Sequence, residues 1–339
     1  MSLSPTDIPD STALERELET EGVSQGRLIL RRFLRNKIAM ISAAIFLAVV
    51  ALSVTSIGVF GIPGWWHWKH TDLAPLLNGG KPTLSLIPEW LGGEGIHLGE
   101  HPFGQTLIGI DYFAMTMRGV QNSLIVMFVI GILVAVIGTV VGAAAGYYRG
   151  WVEAVLMRFT DLIIIIPVIV LGAVVGQIAN QHFQGLGVLG LSIVLGLFLW
   201  TGLARLVRGE FLTLREREYV DAARVFGASD SRIMFRHILP NAIGVVIVTT
   251  TLVMAAAILL ETGLSFIGFG IRSPDVSLGL IISQNQTAFG TRPYLFVWPG
   301  VFIVIIALTV NFIGDGLRDA FDPRQSRFVP RRMKEQVKA

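Results

Sequence analysis

The sequence predicts an all-α integral membrane protein with about six transmembrane helices. Three observations carry that prediction. Apolar residues make up 53% of the 339 residues and charged residues only 15%, whereas a soluble domain usually carries about 25% charge. Six uninterrupted apolar runs approach the roughly 20 residues needed to span about 30 Å of hydrocarbon. Lys and Arg are sorted between alternate connecting segments, as in membrane proteins of fixed orientation. Alternating ten-residue strands, the mark of an outer-membrane barrel, are absent from the sequence.

The expected spans are Ile38–Phe60, Ser123–Tyr147, Leu162–Ile178, Leu186–Ala204, Ala242–Leu260 and Tyr294–Ile313. With the N-terminus inside, segments 1–37, 148–161, 205–241 and 314–339 hold 22 of the 27 basic residues. The outer segments hold only Lys69, Lys81, Arg118, Arg272 and Arg292. Both termini are therefore expected in the cytoplasm, and the pI near 9.4 follows from this sorting without a nucleic-acid partner. About 26 polar residues precede RLILRRFLRNK (Arg27–Lys37), so the first span reads as retained and not as a cleaved signal. The absence of cysteine excludes disulfides, thiolate metal ligands and thiol catalysis.

Residues 1–26 read as a polar tail. An outer segment, 61–121, is rich in Gly, Pro and aromatics, and its Trp65, Trp66 and Trp68 suit an interfacial aromatic belt. His67 and His70 lack a third ligand nearby and read as interfacial. Gly138, Gly142 and Gly146 recur every fourth residue in the second span. Such a stripe lets a neighbouring helix backbone approach, since van der Waals contact drives association in lipid. Pro167 should kink the third span. Asp161, at that span's start, is expected to cap its helix or pair with Arg158. Glu261 ends the fifth span, where it either lines a pathway or satisfies backbone groups of the outer loop Thr262–Pro293.

Between the fourth and fifth spans lies a charged, helix-patterned segment, EYVDAARVFGASDSRIMFRHILPN (Glu218–Asn241). It is too polar for hydrocarbon and must project from the bilayer. Asp221, Ala222 and Ala223 give a small, smooth helical face. Gly227 suits the left-handed residue that ends a helix, Ser229 or Asp230 can cap the next one, and Pro240 fits a first turn. The pattern reads as helix, Gly turn, short helix, membrane. Small side chains at the corner suit insertion into a groove on a soluble partner; an ordinary solvated loop is the bland alternative.

The pattern D-A-A-x-x-x-G with L-P twelve residues after the Gly (Asp221, Ala222, Ala223, Gly227, Leu239, Pro240) resembles the EAA loop of binding-protein-dependent ABC importer permeases. Asp221 replaces the usual Glu. Further segments resemble the C-type permease of dipeptide, oligopeptide and nickel importers: RRFLRNK (Arg31–Lys37), HPFG (His101–Gly104), AGYYRGWVEAVLMRFTD (Ala145–Asp161), ETGLSFIGFG (Glu261–Gly270) and GDGLRDAFDPR (Gly314–Arg324). The likeness covers roughly residues 27–325. One element departs: after HPF such permeases carry G-T-D-x-x-G-R-D, and here the run is Gly104-Gln-Thr-Leu-Ile-Gly-Ile-Asp111.

The resemblance implies a type I ABC importer permease fold spanning residues 27–318, with a coupling loop at 208–241 and a C-terminal tail at 319–339. It implies a non-catalytic pathway subunit in a bacterial inner membrane, paired with a second homologous permease. It further implies two ABC ATPase subunits, which carry the ATP and Mg, and an extracytoplasmic binding protein that delivers di- or oligopeptides. The coupling role falls on Asp221, Ala222, Ala223 and Gly227, with Glu218, Arg224, Arg232, Leu239 and Pro240 flanking. No cofactor or metal is expected on the chain itself. Gly79-Gly-Lys-Pro-Thr83 lacks the upstream Gly of a P-loop, and Gly185–Gly190 matches G-x-G-x-x-G only at the start of an apolar span. The alternatives are a permease for nickel or another small solute, and a secondary transporter. The latter normally carries charge in mid-span, which these runs lack.

Overall fold

The computed structural model describes residues 25–59, 61–85, 90, 95–182 and 187–321. The expected tails fall almost wholly outside these residues, as does part of the loop Asn180–Gly185. In hydrocarbon each backbone N–H and C=O must find its partner within its own segment, which leaves the helix as the form available to such apolar runs. The helices are α1 (Gln25–Arg35), α2 (Lys37–Ile57), α3 (Tyr112–Tyr148), α4 (Gly150–Ile164), α5 (Val168–His182), α6 (Gly187–Leu199) and α7 (Thr201–Leu214). They continue as α8 (Glu218–Val225), α9 (Asp230–Arg232), α10 (Leu239–Phe266), α11 (Leu278–Asn285) and α12 (Tyr294–Phe321). A π-helical turn, Ile233–Ile238, joins α9 to α10.

Among the described residues five stretches are long and apolar enough to cross a membrane: Lys37–Ile57, Tyr112–Tyr148, Gly187–Leu214, Asp230–Phe266 and Tyr294–Phe321. A sixth arises if α4 and α5, bent by 79°, count as one broken span. The sequence placed that span at Leu162–Ile178 with 148–161 as a loop; instead the loop is helix, and the break falls between α4 and α5. Pro167 is the cause, because it has no N–H to donate and its ring clashes with the preceding turn.

The second span also begins earlier than expected. Asp111 caps it, accepting a bond from the Ala114 N–H at 2.7 Å, and the following polar residues are carried in the helix by long-range partners. Gln121 donates to the carbonyls of Ser53 (2.7 Å) and Gly58 (2.9 Å). Asn122 donates to the Val276 carbonyl at 2.7 Å. Hydropathy alone stops at Ser123, since these bonds are made across the fold.

α3 is the central rod, packed against α2, α6, α7 and α10. Its glycine stripe gives the close helix packing expected of it, and the partner is α7. A Cβ on Gly142 would lie 2.5 Å from the Ala204 carbonyl oxygen, and one on Gly146 would lie 2.6 Å from the Phe211 Cβ. Only the missing side chains let the backbones come this close.

The described residues of 61–121, the segment expected outside, fold into a platform over one end of α3. A two-stranded hairpin pairs Gly58 with Pro63 and Val59 with Ile62. Trp66 packs edge-on against Phe113 with ring centroids 4.9 Å apart and donates to Asp111 Oδ1 at 3.0 Å. Phe103 stacks on Trp298 at 4.0 Å. Trp66 and Trp68 are thus half-buried and pack within the platform, which supplies aromatic partners that the local sequence could not reveal. His101 and Asp111, both buried, pair at 2.7 Å. Gln105 accepts the Leu77 N–H at 2.8 Å and donates to the Pro75 carbonyl at 3.0 Å. The run that departs from the family pattern therefore holds the platform together.

Burial and the nearby Arg118 hold the His70 imidazole below its ordinary pKa, against a weaker opposite pull from Asp72 and Asp275. In acid the unfolded chain binds a proton that the folded site resists, so this residue's contribution to stability falls as pH drops below about 6.5. Limited proteolysis of the outer segment should accelerate on acidification, and His70→Gln should flatten that dependence. In the bundle, Gly142→Val should cost about 1–3 kcal/mol by overpacking. Gly209→Ala, on the open face of α7 with nothing within 4 Å, should be neutral or stabilising by up to about 1 kcal/mol. Thermal unfolding in detergent reads both.

Candidate functional site, a levered helical loop

α7 runs on past the apolar region, and three charged residues, Arg215, Glu216 and Arg217, lead into α8. Glu218 and Asp221 lie in its first turn, where carboxylates oppose the positive end of the helix dipole. Val220, fully buried, and the half-buried Ala223 pack against the core that includes Ile233, Met234 and Phe211. The helix ends as its Gly predicts. Gly227 takes φ +77°, its N–H bonds the Arg224 carbonyl, and the Ala228 N–H bonds the Ala223 carbonyl, each at 3.0 Å. Paired bonds of this kind close a helix end with a left-handed residue.

The chain then turns back. Ser229 occupies the cap position of α9 but makes no side-chain cap bond, and Asp230 accepts from the Tyr147 hydroxyl at 2.7 Å. The expected capping is replaced by a tether to the end of α3. Tyr147 is held from the other side, for Arg215 donates to its carbonyl oxygen and lies 5.9 Å over its ring. Ion pairs brace the surrounding helices: Arg208 Nε to Glu153 at 2.7 Å, Arg149 to Glu216 at 3.2 Å, and Arg205 to Asp161. Asp161 therefore pairs across to α7, inside α4, and neither caps a helix nor needs Arg158. A cavity of about 600 Å³ opens here, lined by residues including Glu153, Met157, Arg158 and Arg208.

What projects furthest from this scaffold is an apolar tip. Ala222 and Gly227 are exposed, and Val225 and Phe226 expose 85% and 89% of their surface. Arg224 and Asp221 pair at 3.0 Å beside them. Glu218 and Arg232 are exposed on α8 and α9, while Leu239 and Pro240 form the first turn of α10. Ala223 turns inward, so the smooth face anticipated at Asp221–Ala223 is only partly presented. Val225 and Phe226 were missed by the sequence reading, although two large apolar side chains just before a turn Gly are a usable signal of an outward apolar tip.

Glu261 lies elsewhere. It does not end its helix, since α10 continues to Phe266. Its side chain is fully buried, accepting from Ser265 at 2.7 Å and Ser123 at 3.3 Å; Ser277 and the Ile271 N–H extend the network through Ser265. Its carboxylate ties α3 and α10 together within the chain and reaches the backbone of the outer loop only through Ser265.

Known proteins resemble this chain over most of its length. Residues 138–327 match the family described as binding-protein-dependent transport system inner membrane component. Residues 24–69 match the N-terminal TM domain of oligopeptide transport permease C. The oligopeptide transport system permease protein OppC of Mycobacterium tuberculosis is 37% identical over 308 residues, 90% of this chain and 96% of the relative. A putative peptide permease protein of Brucella ovis is 36% identical over 295 residues, 86% of this chain and 89% of the relative. A chain of the MetNI methionine ABC transporter in an inward-facing conformation superposes on 61% of this chain and 96% of its own length, with TM-score 0.50 and 21% identity, a likeness of fold. A multi-pass bundle of type I importer form, carrying a braced helical loop and matching over nine-tenths of its length, places the chain in the family of binding-protein-dependent transport system inner membrane components.

Proposed function

We propose that this chain is a non-catalytic pathway subunit of an ATP-driven importer of di- or oligopeptides. Its relatives carry peptide names, which favours peptides over nickel chelates or other small solutes. The observation that carries the mechanical part is the exposed apolar tip at Val225 and Phe226 on a helix anchored by the fully buried Val220. Such a tip costs free energy in water and gains it in a groove. In this reading two ATPase subunits hold the nucleotide and Mg, and one of them grips Ala222, Val225, Phe226 and Gly227. Their closure moves α8, and the tether from Asp230 to Tyr147 passes that motion to α3 as rigid-body rocking. A second, homologous permease completes the pathway, and a binding protein delivers cargo at the outer platform. The sorting of basic residues supports cytoplasmic termini in a bacterial inner membrane.

Three substitutions separate anchoring from gripping. Phe226→Ala should leave stability within about 0.5 kcal/mol yet weaken association with the ATPase by about 2 kcal/mol or more, read by co-purification. Val220→Ala should instead lower stability by about 2 kcal/mol through lost burial and a residual cavity. Gly227→Arg, in open space but at a left-handed position, should strain the turn by about 1–2 kcal/mol. It should leave the protein in the membrane and abolish ATP-dependent peptide uptake in vesicles. Uptake at the normal rate in that variant would reject the gripping role.

A further inference from the structure

The first helix carries a feature that the transport reading does not use. α1 has the sequence QGRLILRRFLR, with four arginines and no acidic residue. At 3.6 residues per turn its side chains sort into four stripes, one of them Leu28 and Arg32, and the other three adjoin in order. Ile29 and Phe33 form the first, both half-buried; Phe33 meets α12 at Gly316, where its ring lies 3.4 Å from the position a Cβ would take. Leu30 and Leu34 form the second and expose 56% and 54% of their surface. Arg27, Arg31 and Arg35 form the third, and all are exposed. Among the described residues no ion pair engages these three.

The helix cannot drift away from the membrane edge. Asn36, with extended backbone, breaks α1 from α2 and caps the latter through the Ala39 N–H, so a single residue separates the arginines from a membrane span. Asn36 also donates to Asp319 of α12 at 3.4 Å. α2 exposes Ile38 and Ile41 directly beyond this point, at 63% and 61%. An apolar stripe flanked on one side by packed residues and on the other by arginines matches the level where acyl chains meet headgroups.

We propose that α1 lies in the headgroup layer and forms a binding surface for anionic phospholipid. Leu30 and Leu34 enter the acyl boundary, and Arg27, Arg31 and Arg35 hold lipid phosphates through charge-assisted hydrogen bonds. The occupant is a lipid surface and not a protein because the exposed side joins an apolar stripe continuous with a membrane span to a row of cations that no described residue pairs with. This inference depends on membership of the membrane family and not on the identity of the cargo.

The native chain has no cysteine, so single nitroxide labels can be placed at Leu30→Cys, Leu34→Cys and Arg31→Cys. The labelled chain, purified with the subunits that accompany it, is reconstituted in nanodiscs of phosphatidylcholine with or without phosphatidylglycerol. Labels at 30 and 34 should be relaxed by oxygen, and the label at 31 by a water-soluble nickel chelate. Native mass spectrometry should find phosphatidylglycerol retained in preference to phosphatidylcholine. The triple variant Arg27→Gln, Arg31→Gln, Arg35→Gln should reduce that retention on the order of a hundredfold, about fivefold for each charge, while the corresponding Lys variant keeps most of it and controls for folding. Labels at 30 and 34 shielded from both relaxants would show that protein covers the helix and would overturn the proposal. Equal retention of the two lipids, or retention unchanged in the Gln variant, would overturn it as well.

Discussion

The close approach of α3 and α7 along Gly138, Gly142 and Gly146 is the contact on which the rest of the molecule depends. In lipid no hydrophobic force drives two apolar helices together, so a deep van der Waals seam must do it. The Ala204 carbonyl and the Phe211 side chain sit where ordinary side chains would stand on α3. That seam fixes α7, and through α7 it fixes the direction in which the chain leaves the bundle toward α8.

α3 joins the two ends of the protein. At its first turn Asp111 holds the helix N-terminus, Trp66 and His101 together, so the outer platform is fastened directly to the rod. At its last turn Tyr147 holds Asp230 and receives Arg215. A helix of 37 residues is about 55 Å long, enough to pass through the hydrocarbon and emerge at both sides. A displacement at the loop therefore has a stiff element along which to travel, which is the mechanical basis of the proposed coupling.

Polar groups within the spans serve the packing. Glu261, Gln121 and Asn122 each bond to groups distant in sequence, and a buried polar group without such a partner would cost free energy in hydrocarbon. The charged residues concentrate at the loop end, where Glu153, Asp161 and Glu216 pair with arginines of neighbouring segments. α1, which shows leucines and arginines outside any ion pair among the described residues, lies beside the first span, where the proposed lipid contact would complete the same pattern.

Much of this was legible in the sequence. Apolar run length fixed the helical class, because the backbone in lipid has so few ways to satisfy itself. Spacing by four picked out the seam glycines, Pro167 marked the break, and Gly227 marked the end of α8, each through a local backbone property. Residues whose roles depend on distant partners were not legible. Glu261 acquires its setting from Ser123, far away in the chain; Trp66 becomes a packing residue through Phe113 and Asp111; Asp161 finds Arg205 on another helix. The sequence by itself determined that the apolar runs are helices, that the chain breaks at Pro167 and that α8 ends at Gly227, since those follow from bonds and sterics within a few residues. Only the tertiary structure decided which side of α8 faces out and which polar side chains are satisfied inside the bundle, because burial is a property of neighbours that the chain brings together from afar.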